Sequence, residues 1–165
     1  MYVHFMDQKN KNQYHHTNKF IDSEVENIFS GNYDQTILGT IDKNEYPFLS
    51  KIVPMYFENN FYLLLSDLSE HTKNIKINEK ASIYYALFEN NKQKLNNPRL
   101  TLIGHIKKIK CQKEDSFYKS LLKNYYKLEK SSKLWAYFDD FNFYSFSIIK
   151  YIYVKGFGKA YIKFF

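Results

Sequence analysis

The segment Arg99-Leu-Thr-Leu-Ile-Gly-His-Ile106 predicts a β-strand and contains the only arginine among the 24 Lys and Arg residues of the chain. Strand alternation places Thr101, Ile103 and His105 on the same face as Arg99. A guanidinium group is a planar fork of donors, which suits a carboxylate or phosphate held by two charge-assisted hydrogen bonds. The alternative is a surface arginine left by chance in a lysine-rich composition, and His105 is interpreted as a structural histidine.

The elements around this strand predict a mainly β fold with helices, of the α+β class. Six to eight antiparallel strands joined by short turns favour a β-barrel with helical covers, and the lack of βαβ alternation excludes a doubly wound sheet. Gly156-Phe-Gly158 lacks the third glycine and the following helix of a dinucleotide motif. Strands are predicted at 35–41, 48–57, 61–65, 81–88, 100–110, 141–149 and 151–154, and helices near 20–29, 68–78 and 117–128.

Length and composition predict one domain over residues 18–165, preceded by a flexible polar arm over residues 1–17. Hydrophobic residues make up 44% of the chain and aromatic residues 19%, which excludes a disordered protein. The net charge of +7 is compatible with nucleic acid, but the lysines are scattered and nucleic-acid binding is not favoured. The lone Cys111, with no secretory signal and no membrane-spanning run, predicts a cytoplasmic protein without a membrane association.

The stretch Ser66-Asp-Leu-Ser-Glu-His-Thr-Lys-Asn74 combines the end of a strand with the start of a helix. Asp67 and Glu70 have the spacing of a capping box, and a helix N-terminus favours a bound anion. His71 and Asn74 are three residues apart and share a helix face, so together with the Ser66 hydroxyl they could line an anionic ligand. The alternative is an ordinary capped connection with solvated polar groups.

Lys51 lies in an apolar strand, where alternation groups it with Leu49, Val53 and Met55. A lysine in such company needs a partner or an exit to solvent. Lys51 is therefore a candidate for a ligand pocket or a subunit boundary, and snorkelling at a sheet edge is the alternative.

Metal binding by a zinc-type cluster and nucleophilic catalysis are both poorly supported by the residues. His15 and His16 are adjacent and diverge in most backbones, and no Cys or His spacing suits zinc. There is no Gly-x-Ser-x-Gly elbow, and Cys111 has no evident activating partner.

Three motifs together carry a resemblance to a known family: the Ser66–Asn74 stretch, Arg99-Leu-Thr-Leu-Ile-Gly104, and Val154-Lys-Gly-Phe-Gly-Lys-Ala160. Their order, with strands between them, resembles the haem-utilisation (HugZ/HutZ-type) branch of the pyridoxamine-phosphate-oxidase-like, FMN-binding split-barrel superfamily. The likeness extends from about residue 34 to residue 161.

The resemblance implies a split β-barrel that forms a homodimer, with the ligand cleft at the subunit interface. The cleft holds FMN in the wider superfamily. In this branch it holds haem, which is opened oxidatively to release iron with an external electron donor. Ser66, His71, Thr72 and Asn74 would be cleft residues, and Arg99 would reach the oxygen side of the haem or an acid group of the ligand. Lys155, Gly156 and Phe157 would form a closing motif beside the interface.

The resemblance does not identify which residue of this sequence would bind the haem iron. Haem-degrading relatives supply a histidine from a C-terminal tail, whereas no histidine follows His105 in this sequence. Haem iron takes His, Cys, Met or Tyr, so the candidates are His4, His15, His16, Tyr161 or a tail that is not part of this sequence. Asp139-Asp140 could orient an axial histidine, or they are simply loop charges. Three functions stay open: a haem-degrading enzyme, an FMN-dependent oxidoreductase, and a non-catalytic haem-binding or storage protein.

Overall fold

Nine strands and three helices make up the part of the chain that the computed structural model describes, residues 14–165. Residues 1–13, which include His4 and most of the predicted arm, lie outside the described residues. The helices are α1 (Lys19–Phe29), α2 (Glu70–Ile77) and α3 (Ser116–Leu128). The strands are β1 (His15–His16), β2 (Gln35–Ile41), β3 (Pro47–Lys51), β4 (Met55–Phe57), β5 (Asn60–Ser66), β6 (Lys80–Ala86), β7 (Arg99–Lys108), β8 (Phe141–Gly156) and β9 (Lys159–Phe164).

The sheet is organised around the long strand β8, which has different neighbours along its two halves. The main path runs β1-β9-β8-β7-β6-β2-β3, and β4 and β5 lie off it. One edge of β8 pairs with β7, while the other edge pairs first with β5 and then with β9. All of these pairs are antiparallel except β1 with β9. This change of neighbour divides the sheet into two lobes and is the architecture of a split barrel.

Two apolar cores stabilise the fold, and strands β5 and β8 contribute to both of them. The larger core packs α1 against the main sheet through Ile21, Val25 and Ile28. Helix α1 begins at Asn18, whose side chain accepts hydrogen bonds from the N–H groups of Phe20 and Ile21. The smaller core packs α3 against β4, β5 and the first part of β8. Helices α1 and α3 therefore pack on opposite faces of β5 and of the first half of β8.

Gly104 is required at a close approach between β7 and β8. The register of the pair shifts between Ile103 and Gly104, which marks a β-bulge. A Cβ atom at residue 104 would overlap the carbonyl oxygen of Ser147. Glycine is therefore the residue that this bulge accepts.

The predicted fold class, mainly β with helices, is confirmed, and the strand count is nine rather than six to eight. Proline has no N–H to donate, and the strand predicted at 48–57 is divided into β3 and β4 around Pro54. The strands predicted at 141–149 and 151–154 are one strand, β8. Gly156-Phe-Gly158 forms the hairpin from β8 to β9, with positive φ at both glycines. No helix within residues 14–165 is both long enough and apolar enough to span a membrane.

Candidate functional site

A cavity of about 310 Å³ lies where the end of β5, the start of α2 and the connection from α3 to β8 meet. Its polar lining comes from Lys51, Ser66, Ser69, His71, Glu129 and Ser131. Its apolar wall includes Leu64, Leu65, Tyr125, Trp135 and Phe141. A volume of this size is at the lower end of the range of small-molecule pockets. The cavity brings together three residues that the sequence predicted separately, Lys51, Ser66 and His71.

Ser66 is held in place at the last position of β5. Its hydroxyl donates to Asp140 and accepts a hydrogen bond from the N–H of Leu68 at 3.2 Å. Asp140 precedes β8, so the hydroxyl joins the end of β5 to the start of β8. Asp140, which was predicted either to orient an axial histidine or to be a loop charge, is therefore a partner of Ser66.

The side chain of His71 has one ring nitrogen in the protein interior that forms no hydrogen bond within residues 14–165. Its Nε2 atom is buried and has no hydrogen-bond partner among the described residues. Burial lowers the pKa of His71 below its ordinary value of 6.5, so the ring is neutral at pH 7. An unpartnered buried polar atom costs about 1–3 kcal/mol.

The predicted capping box at Asp67 is wrong. Ser69 occupies the N-cap position of α2, and Asp67 lies outside the helix. The Asp67 carboxylate instead accepts hydrogen bonds from Lys108 at 2.8 Å, Tyr144 at 2.6 Å and Asn142 at 3.0 Å. Burial alone would raise the pKa of Asp67, but the hydrogen bonds from Lys108 and Tyr144 and the charges of Lys108 and Lys76 outweigh it and lower that pKa.

Thr72 and Asn74 do not line this cavity. Both are buried, and the Asn74 side chain donates to the Thr40 hydroxyl at 3.1 Å, which ties α2 to β2. The Thr72 hydroxyl has no partner among the described residues. In this structure Asn74 fixes the helix that carries His71, although the two were predicted to face one ligand together.

Arg99 lies at a second cavity, of about 410 Å³, beside the hairpin between β8 and β9. Gly156 and Phe157 line this cavity as well, and Phe157 is 88% exposed at the hairpin tip. The Nη1 atom of Arg99 donates to the carbonyl oxygens of Leu95 at 3.1 Å and Asn97 at 3.3 Å. Its remaining donors form no ion pair with a carboxylate of residues 14–165, so the guanidinium retains capacity for an acidic ligand.

Lys155 contacts α1 and lines neither of the two cavities. Its Nζ atom is 2.8 Å from Oε1 of Glu24 and lies 5.0 Å from the centre of the Phe20 ring. Lys155 was predicted as a cofactor-binding residue, and its observed contacts are an ion pair and a cation–π interaction with the helix.

The outer sheet face, defined here by Ile37, Leu49, Tyr84, Ile103, Ile152, Val154 and Ile162, is the side of the main sheet turned away from its core. Leu49 is 69% exposed and Tyr84 is 38% exposed. Lys51 shares this face because it pairs with Ile37, and Arg99 shares it because it pairs with Val154. From strand spacing and rise, the Cα atoms of Lys51 and Arg99 are about 15 Å apart across three strand intervals. The two predicted cations therefore flank one apolar surface.

The connection from α3 to β8 closes the cavity and was not predicted from the sequence. Glu129, Ser131 and Trp135 all come from this connection. Trp135 is the only tryptophan of the chain, and that rarity was the available signal. Tyr125, at the end of α3, donates from its hydroxyl to the Val53 carbonyl at 3.3 Å, and burial raises the pKa of this phenol well above its usual value.

These features define a class of protein: a split β-barrel of the pyridoxamine-phosphate-oxidase-like kind, with cavities beside the outer sheet face. The chain belongs to the CREG beta-barrel family, whose family model matches residues 34–163. This interval agrees with the predicted resemblance, which is confirmed at the level of family and fold. No curated protein sequence matches the chain.

Solved structures support the same fold. A haem-binding protein from Mycobacterium smegmatis has a TM-score of 0.72 at 18% identity, over 82% of this chain and 55% of that one. The haem storage protein HutZ from Vibrio cholerae has a TM-score of 0.65 at 17% identity, over 77% and 89% of the two chains. A protein of the pyridoxinephosphate oxidase family from Clostridium acetobutylicum, related to general stress protein 26, has a TM-score of 0.63 at 20% identity, over 88% and 94%. The chain thus spans about half the length of the mycobacterial protein.

Proposed function

We propose that this protein binds haem beside the outer sheet face and degrades it oxidatively to release iron. The observation that carries the proposal is the convergence of Lys51, Ser66 and His71, from three separate elements, on one cavity with an aromatic wall. The haem-binding protein and HutZ among the structural neighbours support the same ligand class.

The residues present fit such a ligand. Trp135 and Phe141 offer flat apolar surface to a conjugated ring, and Lys51 offers a positive charge to a propionate group. The hydroxyl groups of Ser66, Ser69 and Ser131 add polar contacts at the rim. When bound, haem supplies the oxidative chemistry with electrons from an external donor, while the protein contributes binding and orientation.

The proposal includes a homodimer in which a second copy covers the outer sheet face. The support is the run of apolar side chains across β3, β2, β6, β7, β8 and β9, with Tyr84 and Leu49 exposed in one chain. Because Lys51 and Arg99 flank this surface, the cleft between two copies would have cations at both ends. Arg99 would then donate to an acid group of the ligand or to its oxygen side.

A haemin titration tests the proposal. We expect the purified protein to develop a saturable Soret band at one haem per subunit, and to convert the bound haem to an open-chain product with ascorbate as the electron donor. Lys51→Ala should weaken haemin binding more at low salt than at high salt, because a charge contact is screened. Lys43→Ala, in the exposed turn between β2 and β3, is the matched control and should bind as the wild type does. The absence of a saturable band would overturn the proposal.

FMN is the second candidate ligand, and one observation favours it. Ser66, Ser69 and the start of α2 lie at the same cavity as Lys51, and this combination of hydroxyl groups, helix N–H groups and a cation suits a phosphate. The protein would then be an FMN-dependent oxidoreductase. Flavin released by denaturing the purified protein, together with saturable FMN binding and no haemin binding, would establish this function instead.

A haem-binding or storage protein without turnover is the remaining alternative. HutZ is described as a storage protein, and the two functions differ only in the fate of the bound haem. Binding without an open-chain product in the presence of ascorbate would establish storage. Either haem function is proposed for the cytoplasm, where the unpaired thiol of Cys111 would stay reduced.

A further inference from the structure

We infer that helix α3 and the connection from α3 to β8 bind an anionic membrane surface. Two groups of exposed side chains form this binding surface. The lysines are called the basic ridge, which is Lys119, Lys123, Lys127, Lys130 and Lys133, and the apolar residues are called the apolar tip, which is Leu134, Tyr137 and Phe138. The inference does not depend on the ligand of either cavity. The prediction of no membrane association rests on the lack of a spanning run, which does not bear on a peripheral contact.

The basic ridge carries five positive charges that no acidic side chain neutralises. Lys119, Lys123 and Lys127 are four residues apart, so they lie in a row along one side of α3. Lys130 and Lys133 follow in the connection. Within residues 14–165, none of the five forms an ion pair with a carboxylate. Lysines that look scattered in the sequence therefore form an uncompensated positive surface.

Two of the three acidic residues in the connection are engaged at the 310 Å³ cavity. The Glu129 carboxylate accepts a hydrogen bond from the N–H of Ser131 at 3.0 Å and lines that cavity. Asp140 accepts a hydrogen bond from the Ser66 hydroxyl. Asp139 is exposed, at the end of the connection. The local charge thus favours an anionic partner.

The apolar tip projects large side chains into solvent from an anchored segment. Leu134 is 81% exposed, Tyr137 60% and Phe138 59%. Their neighbour Ala136 is buried in the smaller core, which holds the backbone of this segment against the protein. Exposed apolar side chains that are rimmed by charge are typical of a protein-binding or membrane-binding site.

The apolar tip adjoins the basic ridge. Burial and the neighbouring phenol of Tyr137 raise the pKa of Tyr126, so the two phenols lie close together. Tyr126 is three residues from Lys123 on α3 and shares its side of the helix. The Nζ atom of Lys113 donates to the carbonyl oxygens of Tyr137 at 3.2 Å and Phe138 at 2.6 Å, which places a further positive charge beside the tip.

A lipid surface fits this combination better than a protein or a nucleic acid. Three projecting side chains are few for a stable protein interface, which buries about 800 Å² on each partner. Lysine is a flexible point charge that suits mobile phosphate headgroups, and the ridge has no arginine to recognise a fixed acceptor. Leucine and phenylalanine enter the boundary between headgroups and acyl chains, where tyrosine keeps its hydroxyl in the polar layer. Nucleic acid offers no such apolar layer to Leu134.

Vesicle sedimentation with the full chain tests the inference. We expect binding to vesicles of equal parts phosphatidylcholine and phosphatidylglycerol, weaker binding at high salt, and no binding to phosphatidylcholine alone. Lys119→Ala combined with Lys123→Ala should weaken binding about 25-fold, because each lysine near an anionic surface contributes about fivefold. Lys43→Ala combined with Lys92→Ala removes the same charge from two exposed loops and should bind as the wild type does.

Trp135 reports on insertion of the apolar tip. It is the only tryptophan of the chain and lies between Leu134 and Tyr137, so the intrinsic emission comes from this segment. Anionic vesicles that contain phosphatidylcholine brominated on its acyl chains should quench this emission. Leu134→Ser combined with Phe138→Ser should abolish the quenching, and circular dichroism should show a folded chain, since both side chains are exposed.

Four results would overturn the inference. They are no sedimentation with the anionic vesicles, equal losses of binding in the ridge and control variants, vesicle binding without quenching, and quenching that persists in the Leu134 and Phe138 variant. A DNA duplex of mixed sequence provides a competitor. If it displaces the anionic vesicles, and its own binding is lost in the ridge variant, the surface is a nucleic-acid site instead.

Discussion

Arg99 shows how a single rare side chain divides its donors between structure and ligand. Two of its hydrogen bonds go to the carbonyls of Leu95 and Asn97, which hold the loop before β7. The prediction from sequence, a fork reserved for an acidic ligand, therefore describes only part of what the guanidinium does. Arg99 itself lies on the outer sheet face, where it pairs with Val154.

Arg99→Ala should weaken haemin binding while leaving the chain folded. We also expect a loss of about 1 kcal/mol in the free energy of unfolding, because the loop carbonyls lose their donor. Arg99→Lys is the matched variant, since lysine keeps the charge but not the fork. Haemin affinity and denaturant unfolding measure the two effects. An unchanged affinity in both variants would remove Arg99 from the ligand site.

Asp67 gives the fold an acid-sensitive contact. Because the pKa of its carboxyl group is lowered in the folded state, the unfolded chain binds more protons as the pH falls through this range. The contribution of Asp67 is thus complete above the unfolded pKa, near 3.9, and is lost as the pH falls through the lower folded value. Asp67→Asn should cost about 1–3 kcal/mol at pH 7.

Asp67→Asn should also flatten the loss of stability below about pH 4. Urea unfolding at stepped pH values measures both effects. Asp139→Asn, at an exposed aspartate, is the control and should leave the acid slope as it is in the wild type. A wild-type slope in Asp67→Asn would show that other carboxyl groups, such as Asp22, carry the acid dependence.

At the level of elements, the alternation of apolar residues predicted strands correctly where burial alternates along the chain. It failed where a single residue, such as a proline, interrupts the strand. Strand β2 alternates between buried and less buried positions along its whole length, and its predicted bounds are the observed ones. Pro54 interrupted a strand that the apolar pattern predicted as continuous. Asp67 had the spacing of a cap, but long-range partners on β7 and β8 determine its position, and local spacing carries no information about them.

Among the positions within strands, Gly104 leaves no space for a side chain. Gly104→Ala places a methyl group against the Ser147 carbonyl on the neighbouring strand, and backbone cannot move aside as a flexible side chain can. We expect a loss of about 2 kcal/mol or more in the free energy of unfolding. Thermal and urea unfolding measure it, with the exposed Lys107→Ala on the same strand as the control. Wild-type stability in Gly104→Ala would show that the bulge can be relieved.

For the whole molecule, the order of three motifs was enough to identify the fold. It was not enough to predict which of the candidate residues line the same cavity. The motifs at Ser66, Arg99 and Val154 predicted the split barrel, since each marks the end or start of a barrel element. They did not predict that His71 and Arg99 line different cavities, because that separation depends on strand order and register. The connection that carries Trp135 was not predicted for a different reason, since it has no periodic hydrophobic pattern.

Tyr84→Lys tests the proposed assembly at the scale of the whole molecule. Tyr84 is 38% exposed at the centre of the outer sheet face, so a single chain tolerates a lysine there, whereas a buried apolar interface does not. Light scattering after gel filtration should change from twice the chain mass to once. Tyr137→Lys, at an exposed tyrosine in the connection between α3 and β8, is the matched control and should keep the wild-type mass. Equal masses for wild type and Tyr84→Lys would contradict an interface on this face.

Strand β8 has a consequence for how the molecule opens. Its first half is hydrogen-bonded to β5 and its second half to β9, with β7 along the other edge, so both cores depend on the same sixteen residues. If β8 detached from one core, it would also expose apolar side chains of the other core. The amide protons of β8 should therefore exchange with solvent only through global unfolding, with one common free energy of opening along the strand. The two cores are separate clusters, but the shared strand makes them one cooperative unit.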